Sequence, residues 1–298
     1  MNYQTAEQLT EMKLHAMRIE YARQEELPAS EELTFDDRLA MIVTAQYDAR
    51  IKAKTNRFIR AANLREPTAT LTNVDYDPVR KLKKADVARL SDCQWIKGGS
   101  NLIITGATGV GKTYLLSAFG REACTKGFTV KCYRTTRLLT DLTIGKGDGS
   151  YNKLMKDLVR PDLLILDDFG MKQLDLGMTQ DFLEVIEERY HHQRSVAVSA
   201  QLPVRDWPSV FKDPTIADAV LDRIVRNAYR FDLKGPSRRP TVEHVPAYAD
   251  DSVNEKEYNN QEVSSCLLGT GILSGCCKNQ RPNNAGTTVR KLLDACTK

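Results

Sequence analysis

Apolar positions recur along this chain in two rhythms, and the change between them divides it. Over the first 66 residues the spacing is helical. Leu9, Met12, Ala16 and Ile19 follow one another at three and four residues, the repeat of one amphipathic helix face. Thr34-Phe35-Asp36-Asp37 then opens a second run through Leu39, Ile42 and Val43, with Thr34 as its N-cap and Asp37 at the capping-box position. That run reaches about Leu64 and stops before Pro67. The pattern predicts a small all-helical N-terminal domain over residues 1–66. Residues 67–100 read as a basic linker, punctuated by Pro67, Asn73, Asp77-Pro78 and Gly98-Gly99, with a short basic helix at 79–90.

From 101 to 240 the rhythm changes. Short continuous apolar runs, NLIIT (101–105), TVKCY (129–133), DLLILD (162–167), SVAVS (195–199) and YRFDL (229–233), alternate with helical patterns. Runs apolar on both sides suit strands of a parallel sheet covered on both faces. The intervals of roughly 20 to 30 residues fit crossover helices. The expected fold is therefore α/β and doubly wound, with a five-stranded parallel sheet. Residues 241–298 lose the periodicity. Asn, Ser, Gly and Thr dominate there, along with Cys266, Cys276, Cys277 and Cys296, so a disordered tail is expected, apart from a short helix from Thr288 to Ala295.

Composition narrows the class. With 41% hydrophobic and 28% charged residues in 298, the chain is of ordinary globular make-up. No apolar run approaches the roughly 18 residues of a membrane span. The polar, mixed-charge first 20 residues do not read as a secretory signal, so a cytoplasmic protein without membrane partners is expected. Seven cysteines without a CxxC pair indicate neither a disulfide framework nor a zinc ribbon. The net charge of +4 hides a sharp sorting: residues 1–49 carry a balance of −6 and residues 50–98 one of +7.

The strongest chemical signal is Gly106-Ala107-Thr108-Gly109-Val110-Gly111-Lys112-Thr113-Tyr114, which matches G-x-x-x-x-G-K-[ST] between a strand and a helix. The glycines let the backbone fold around phosphate oxygens, and the helix N-terminus adds its dipole. Lys112 supplies charge to the β and γ phosphates of ATP, and Thr113 a hydroxyl to Mg²⁺. The second signal is Leu163-Leu164-Ile165-Leu166-Asp167-Asp168, an apolar strand that delivers two carboxylates where open α/β sheets bind ligands. Asp167 is the expected Mg²⁺ residue and Asp168 the residue that orients or deprotonates the attacking water. Ser199 and Gln201 follow the SVAVS strand as candidates for sensing the γ phosphate, against plain strand-end hydrogen bonding. Arg223 falls on a helix from about Ile216 and can serve a neighbouring subunit's nucleotide as an arginine finger, against a surface arginine paired with Asp222.

These segments, with SAQLPVRDW (199–207), DPTIADAVLDRIV (213–225) and LKGPSRR (233–239), resemble IstB-type ATPases, the helpers of insertion-sequence transposition and relatives of the DnaC and DnaI helicase loaders in the AAA+ superfamily. The resemblance covers about residues 5–240. It implies an AAA+ P-loop core, ATP and Mg²⁺ as cofactors, a homo-oligomer, double-stranded DNA as a partner and a transposase as another. Two departures stand out. The family's usual Thr-Ser-Gln is Ser199-Ala200-Gln201 here, and residues 241–298 match nothing in the family's pattern.

DNA contact has its own sequence basis. Residues 50–65 carry Arg50, Lys52, Lys54, Arg57, Arg60 and Arg65 without an acidic residue. On a helix, Arg50, Lys54 and Arg57 fall within about 60° of one another. The neighbouring Ile51, Phe58 and Ala62 would pack that helix and leave the basic stripe outside, where it can neutralise phosphates without reading bases. A second cluster is Arg80, Lys81, Lys83, Lys84 and Arg89. In initiator-like AAA+ proteins the region corresponding to Lys146, Lys153 and Lys156 also touches DNA. The expected function is an ATPase that assembles on duplex DNA, largely regardless of sequence, at the bacterial nucleoid, and recruits or stimulates a transposase. A DnaC-like helicase loader and a non-hydrolysing, ATP-gated DNA-binding scaffold are the alternatives. No nuclease site is evident.

Overall fold

The structure, a computed structural model, describes residues 2–26 and 33–239. The expectations for the tail, including its four cysteines and the helix at 288–295, lie outside those residues.

Five strands form the sheet: β1 (Asn101–Gly106), β2 (Val130–Arg134), β3 (Leu163–Phe169), β4 (Ser195–Ala200) and β5 (Ala228–Leu233). All pairings are parallel and the order is β2-β3-β4-β1-β5. Each coincides within a residue or two with an apolar run of the sequence. The three middle strands are buried almost throughout, because helices cover both faces. These are α6 (Lys112–Thr125), α7 (Thr135–Asp148), α8 (Tyr151–Val159), α9 (Leu176–His191) and α10 (Pro214–Val225). Two core clusters result. Leu102, Ile104, Leu116 and Phe119 anchor one face, and Ile103, Leu164, Leu166, Phe182 and Trp207 the other.

Ahead of the sheet lie α1 (Tyr3–Glu11), α2 (His15–Glu26) and α3 (Phe35–Ala62), then α4 (Lys84–Leu90) and α5 (Gln94–Lys97). α3 starts where its capping box predicts: Thr34 Oγ1 accepts from the Asp37 amide at 3.2 Å and donates to the Asp37 carboxylate at 2.6 Å. Three local expectations are corrected. The repeat Leu9–Ile19 is not one helix, because Lys13 turns left-handed (φ 58°) and separates α1 from α2, leaving Met12 and Ile19 exposed. The basic helix at 79–90 is a 3-10 turn (Pro78–Arg80) followed by α4, since Lys81 is left-handed at φ 54°. Ile51 is 45% exposed, so only Phe58 and Ala62 of the expected stripe pack α3.

The end of α3 is welded to the sheet layers. Ala62 and Leu64 are buried in the core beside α6, and Lys131 Nζ donates to the Ala61 carbonyl at 3.3 Å. The segment at 67–100 is packed as well, with Val74, Leu82, Val87, Leu90, Trp95 and Ile96 in the same core.

Arg189 on α9 is fully buried and, among the described residues, meets no carboxylate. Its guanidinium donates instead to five backbone carbonyls: Leu158 and Val159 at the end of α8, Pro161, Asp162, and Ser195 at the start of β4. Carbonyls at a helix C-terminus lack partners within the helix and carry its negative dipole, so a cation satisfies both needs. Burial pushes the Arg189 pKa down to about 9. Arg189→Leu should therefore cost about 3 kcal/mol or more in urea unfolding, since it leaves several buried carbonyls unpaired. A variant within about 0.5 kcal/mol of wild type would show that water replaces the guanidinium there.

Candidate functional site

The P-loop runs from the end of β1 into α6, and its backbone needs glycine. Gly106 and Gly109 have φ of 147° and 84°. A Cβ on Gly106 would lie 2.3 Å from the Leu233 carbonyl oxygen, and one on Gly109 2.2 Å from Ser237 Oγ. The loop is thus closed from above by the segment after β5. There the Arg238 amide donates to the Gly109 carbonyl at 2.9 Å.

Lys112, the first residue of α6, is buried. Its ammonium donates back to the Gly106 carbonyl at 2.9 Å and to that of Ala107 at 2.8 Å. Burial lowers its pKa, against the opposing pull of Asp168 and Asp167. Thr113 points at the end of β3, its hydroxyl 3.1 and 3.2 Å from the two oxygens of Asp167. Asp167 is 1% exposed and also accepts from the Ser199 hydroxyl. Ser199 in turn accepts from the Asp168 amide at 3.0 Å. Ser199 is fully buried and is bonded to the Asp167 carboxylate and the Asp168 amide rather than facing the cavity, while Gln201, two residues further, lines it. Asp168 sits at φ 58° with its carboxylate 3.3 Å from Arg134 Nε.

A cavity of about 500 Å³ opens over these groups. Lys112, Thr113, Tyr114, Thr108 and Asp168 line it, together with cations that the motif does not contain: Arg65, Arg80, Arg238 and Arg239. Tyr114 accepts from the Thr70 amide through its hydroxyl at 3.4 Å, which ties α6 to the segment after α3. Arg80 is buried and donates to the Val110 carbonyl at 3.0 Å and to that of Asp75, bracing the P-loop from outside. The Asp77 amide and then the Arg238 guanidinium hold the Asp75 carboxyl below its ordinary range. The surplus of cations and the inward-turned loop suit a polyanion. The hydroxyl of Thr113 beside the Asp167 carboxylate is a hard-oxygen pair of the kind Mg²⁺ takes.

Arg223 is elsewhere. It ends α10 beside the amino end of β1, where Asn101 Nδ2 donates to the Arg223 and Ile224 carbonyls at 2.9 and 3.0 Å. Its guanidinium holds Glu187 at 2.7 Å, while Asp222 pairs with Arg226. From Asn101 to Gly106 the strand spans about 17 Å, so Arg223 does not reach its own P-loop. Arg50, Lys54, Arg57 and Arg60 are all exposed on α3, Lys54 and Arg57 lying over the Phe58 ring. Lys146 is tied to Asp181, and Lys153 is exposed on α8. No motif announces Arg65, Arg80, Arg134 or Asn101; only the polar residue opening the otherwise apolar run at 101 gives a local hint.

A parallel sheet in this order, with a P-loop after β1 and two carboxylates ending β3, defines an AAA+ P-loop ATPase core. The chain belongs to the IstB-like ATP binding protein family, whose model matches residues 7–244. An insertion sequence ATP-binding protein of Sinorhizobium fredii is 39% identical over 210 residues, 70% of this chain and 85% of that protein. One of Pseudomonas fluorescens is 37% identical over 203 residues, 68% of this chain and 87% of the relative. The crystal structure of the DnaC helicase loader superposes with a TM-score of 0.50 at 21% identity, over 56% of this chain and 97% of that one. That of DnaI gives 0.50 at 19%, over 60% and 94%. At such identity these two likenesses speak for the fold alone.

Lys112→Ala should weaken ATP binding at least tenfold, about 1.4 kcal/mol, in a nucleotide titration. Asp168→Asn should bind ATP as wild type does and slow hydrolysis by about a hundredfold. Wild-type turnover in the latter would remove Asp168 from the water-positioning role.

Proposed function

We propose that this chain is an ATPase that assembles on duplex target DNA, largely regardless of sequence, and recruits or stimulates the transposase of an insertion sequence. The observation that carries this is the joint between charge and nucleotide site. The exposed basic residues of α3 lie on the helix whose last turn is packed against the Walker A helix α6. The insertion-sequence names of the relatives support the transposition setting over helicase loading.

In this reading Lys112 holds the β and γ phosphates, and Thr113 and Asp167 hold Mg²⁺. Bound there, Mg²⁺ supplies charge neutralisation of the phosphates. Asp168 orients the attacking water and takes its proton, and Ser199 holds the Asp167 carboxylate and the Asp168 backbone in place. Arg223 projects from the opposite edge of the sheet, so its target is the nucleotide of the next subunit. Each subunit then contributes to two sites, and a homo-oligomer is the working form. Such a protein acts in the bacterial cytoplasm, at the nucleoid. Arg50, Lys54, Arg57 and Arg60 present point charges to the DNA backbone, with Lys153 as a second contact. Lys146, committed to Asp181, contributes only if that pair opens.

Arg223→Ala should bind ATP normally and lose the hydrolysis that accompanies assembly. Mixed with Lys112→Ala protein it should regain activity, because the two defects fall on different sides of a shared site. Absence of rescue, with normal assembly by Arg223→Ala, would argue against a finger supplied in trans.

Reversing Arg50, Lys54 and Arg57 to Glu should weaken binding to all duplexes alike and flatten its salt dependence. Filter binding across salt, with two unrelated duplexes and one single strand, with and without ATP, measures this. Undiminished binding by the triple variant would move the DNA site to Lys153 and its neighbours or to the exposed Lys81, Lys83, Lys84 and Arg89. A clear single-strand preference would favour the helicase-loader reading.

A further inference from the structure

Asp167 is accompanied by a cation that the P-loop motif does not contain. Arg65 Nε lies 3.7 Å from Asp167 Oδ2. Asp167 is buried, whereas 42% of the Arg65 side chain is exposed, and it lines the nucleotide cavity beside Lys112 and Thr113. The base of this side chain is fixed. Leu64 is buried in the core on one side, and on the other the Glu66 amide donates to Ser117 Oγ of α6 at 3.3 Å. The Cys132 thiol of β2 faces the Arg65 backbone. A rigid root and a half-exposed head leave the guanidinium free to choose between anions within its reach.

Charge balance says which anions. The hydroxyls of Thr113 and Ser199 hydrogen-bond Asp167 but do not neutralise it, and a buried carboxylate is costly without a positive partner. In a P-loop site a divalent cation shared with the nucleotide supplies that partner. The guanidinium and the divalent cation then repel each other at one carboxylate. Phosphate oxygens are the alternative partner that a planar guanidinium matches best.

We propose that Arg65 is a tethered stand-in for the divalent cation, which neutralises Asp167 until a magnesium–nucleotide takes over and then turns to the phosphates. This rests on the reading of the cavity as an ATP site. Arg65 lies three residues beyond the end of α3, so the exchange links the basic helix to the charge on Asp167.

The test is an equilibrium titration of the full chain with a fluorescent ATP analogue, in magnesium and in EDTA. The quantity read is the ratio of the two dissociation constants. Arg65→Gln keeps the length and removes the charge. It should weaken binding in EDTA more than in magnesium and raise the ratio at least threefold. Arg65→Lys keeps the charge and should stay within twofold of wild type. An unchanged ratio in Arg65→Gln, or an equal rise in both variants, overturns the assignment. Failure of the wild-type chain to bind nucleotide at all would instead sink the ATP-site reading, and Arg65 with it. Melting temperatures well above that of the titration in both variants keep the comparison free of folding defects.

Discussion

A carboxylate buried at the end of a parallel strand is the constraint around which this molecule is arranged. Asp167 closes β3 with 1% of its surface exposed, and burying a charge is tolerable only where hydrogen bonds and a counter-charge meet it. Each partner arrives from a different element: Thr113 from α6, Ser199 from β4, Arg65 from the chain after α3. Thr135 at the start of α7 donates to the Asp167 carbonyl at 3.0 Å. To satisfy this one residue, the Walker A helix, both neighbouring strands and the N-terminal helix must be in register. A change that displaces any of them is felt at the nucleotide site as an unpaired charge.

The sheet also serves as a ruler. Because every strand points the same way, the phosphate loop and the carboxylates collect at one edge and the chain entering the strands at the other. Asn101 fixes the second edge: it ties the last carbonyls of α10 to β1, and its Oδ1 accepts from the Val196 amide of β4 at 2.9 Å. The guanidinium of Arg223 is therefore held a strand's length from its own P-loop, braced by Glu187 and stacked over Tyr190. An arginine held so firmly away from its own phosphates is built to act outward or only to brace α9 against α10, and a subunit mixture separates the two.

What could be read in the sequence was what is encoded locally. The five strands were legible because a strand buried on both faces must be a continuous apolar run, and the P-loop because its glycines and Lys112 follow one another without a gap. Thr34 and Asp37 announced the start of α3 for the same reason. The break between α1 and α2 was not legible, since the apolar repeat runs straight across Lys13 and nothing in a lysine foretells a left-handed backbone. Ile51 looked like part of a packing stripe because periodicity gives a face but not what covers it. Arg65 and Arg80 read only as members of basic runs suited to DNA, and Arg134 carried no signal, as their meaning depends on carboxylates and carbonyls from distant parts of the chain.

The same reasoning explains why the positive charge of residues 50–98 has two separate destinations. Arg50, Lys54, Arg57 and Arg60 stay in solvent, where salt screens charge strongly. Arg65 and Arg80, five and twenty residues further on, are directed to Asp167 and the P-loop, Arg65 with its head half-exposed and Arg80 buried, where the lower dielectric makes its charge count for more. The left-handed Asn63 that ends α3 makes this division. It bends the chain off the helix axis, so that the basic run divides into an outer stripe and an inner ligand set. The outer stripe and the inner set therefore share one segment, Arg57 to Glu66, anchored at Ala62, Leu64 and Ser117. In the proposed DNA-bound form, coupling between the two needs no long pathway: the last residues of α3 and the short segment after the left-handed Asn63 are all that separate Arg57 from the guanidinium beside Asp167.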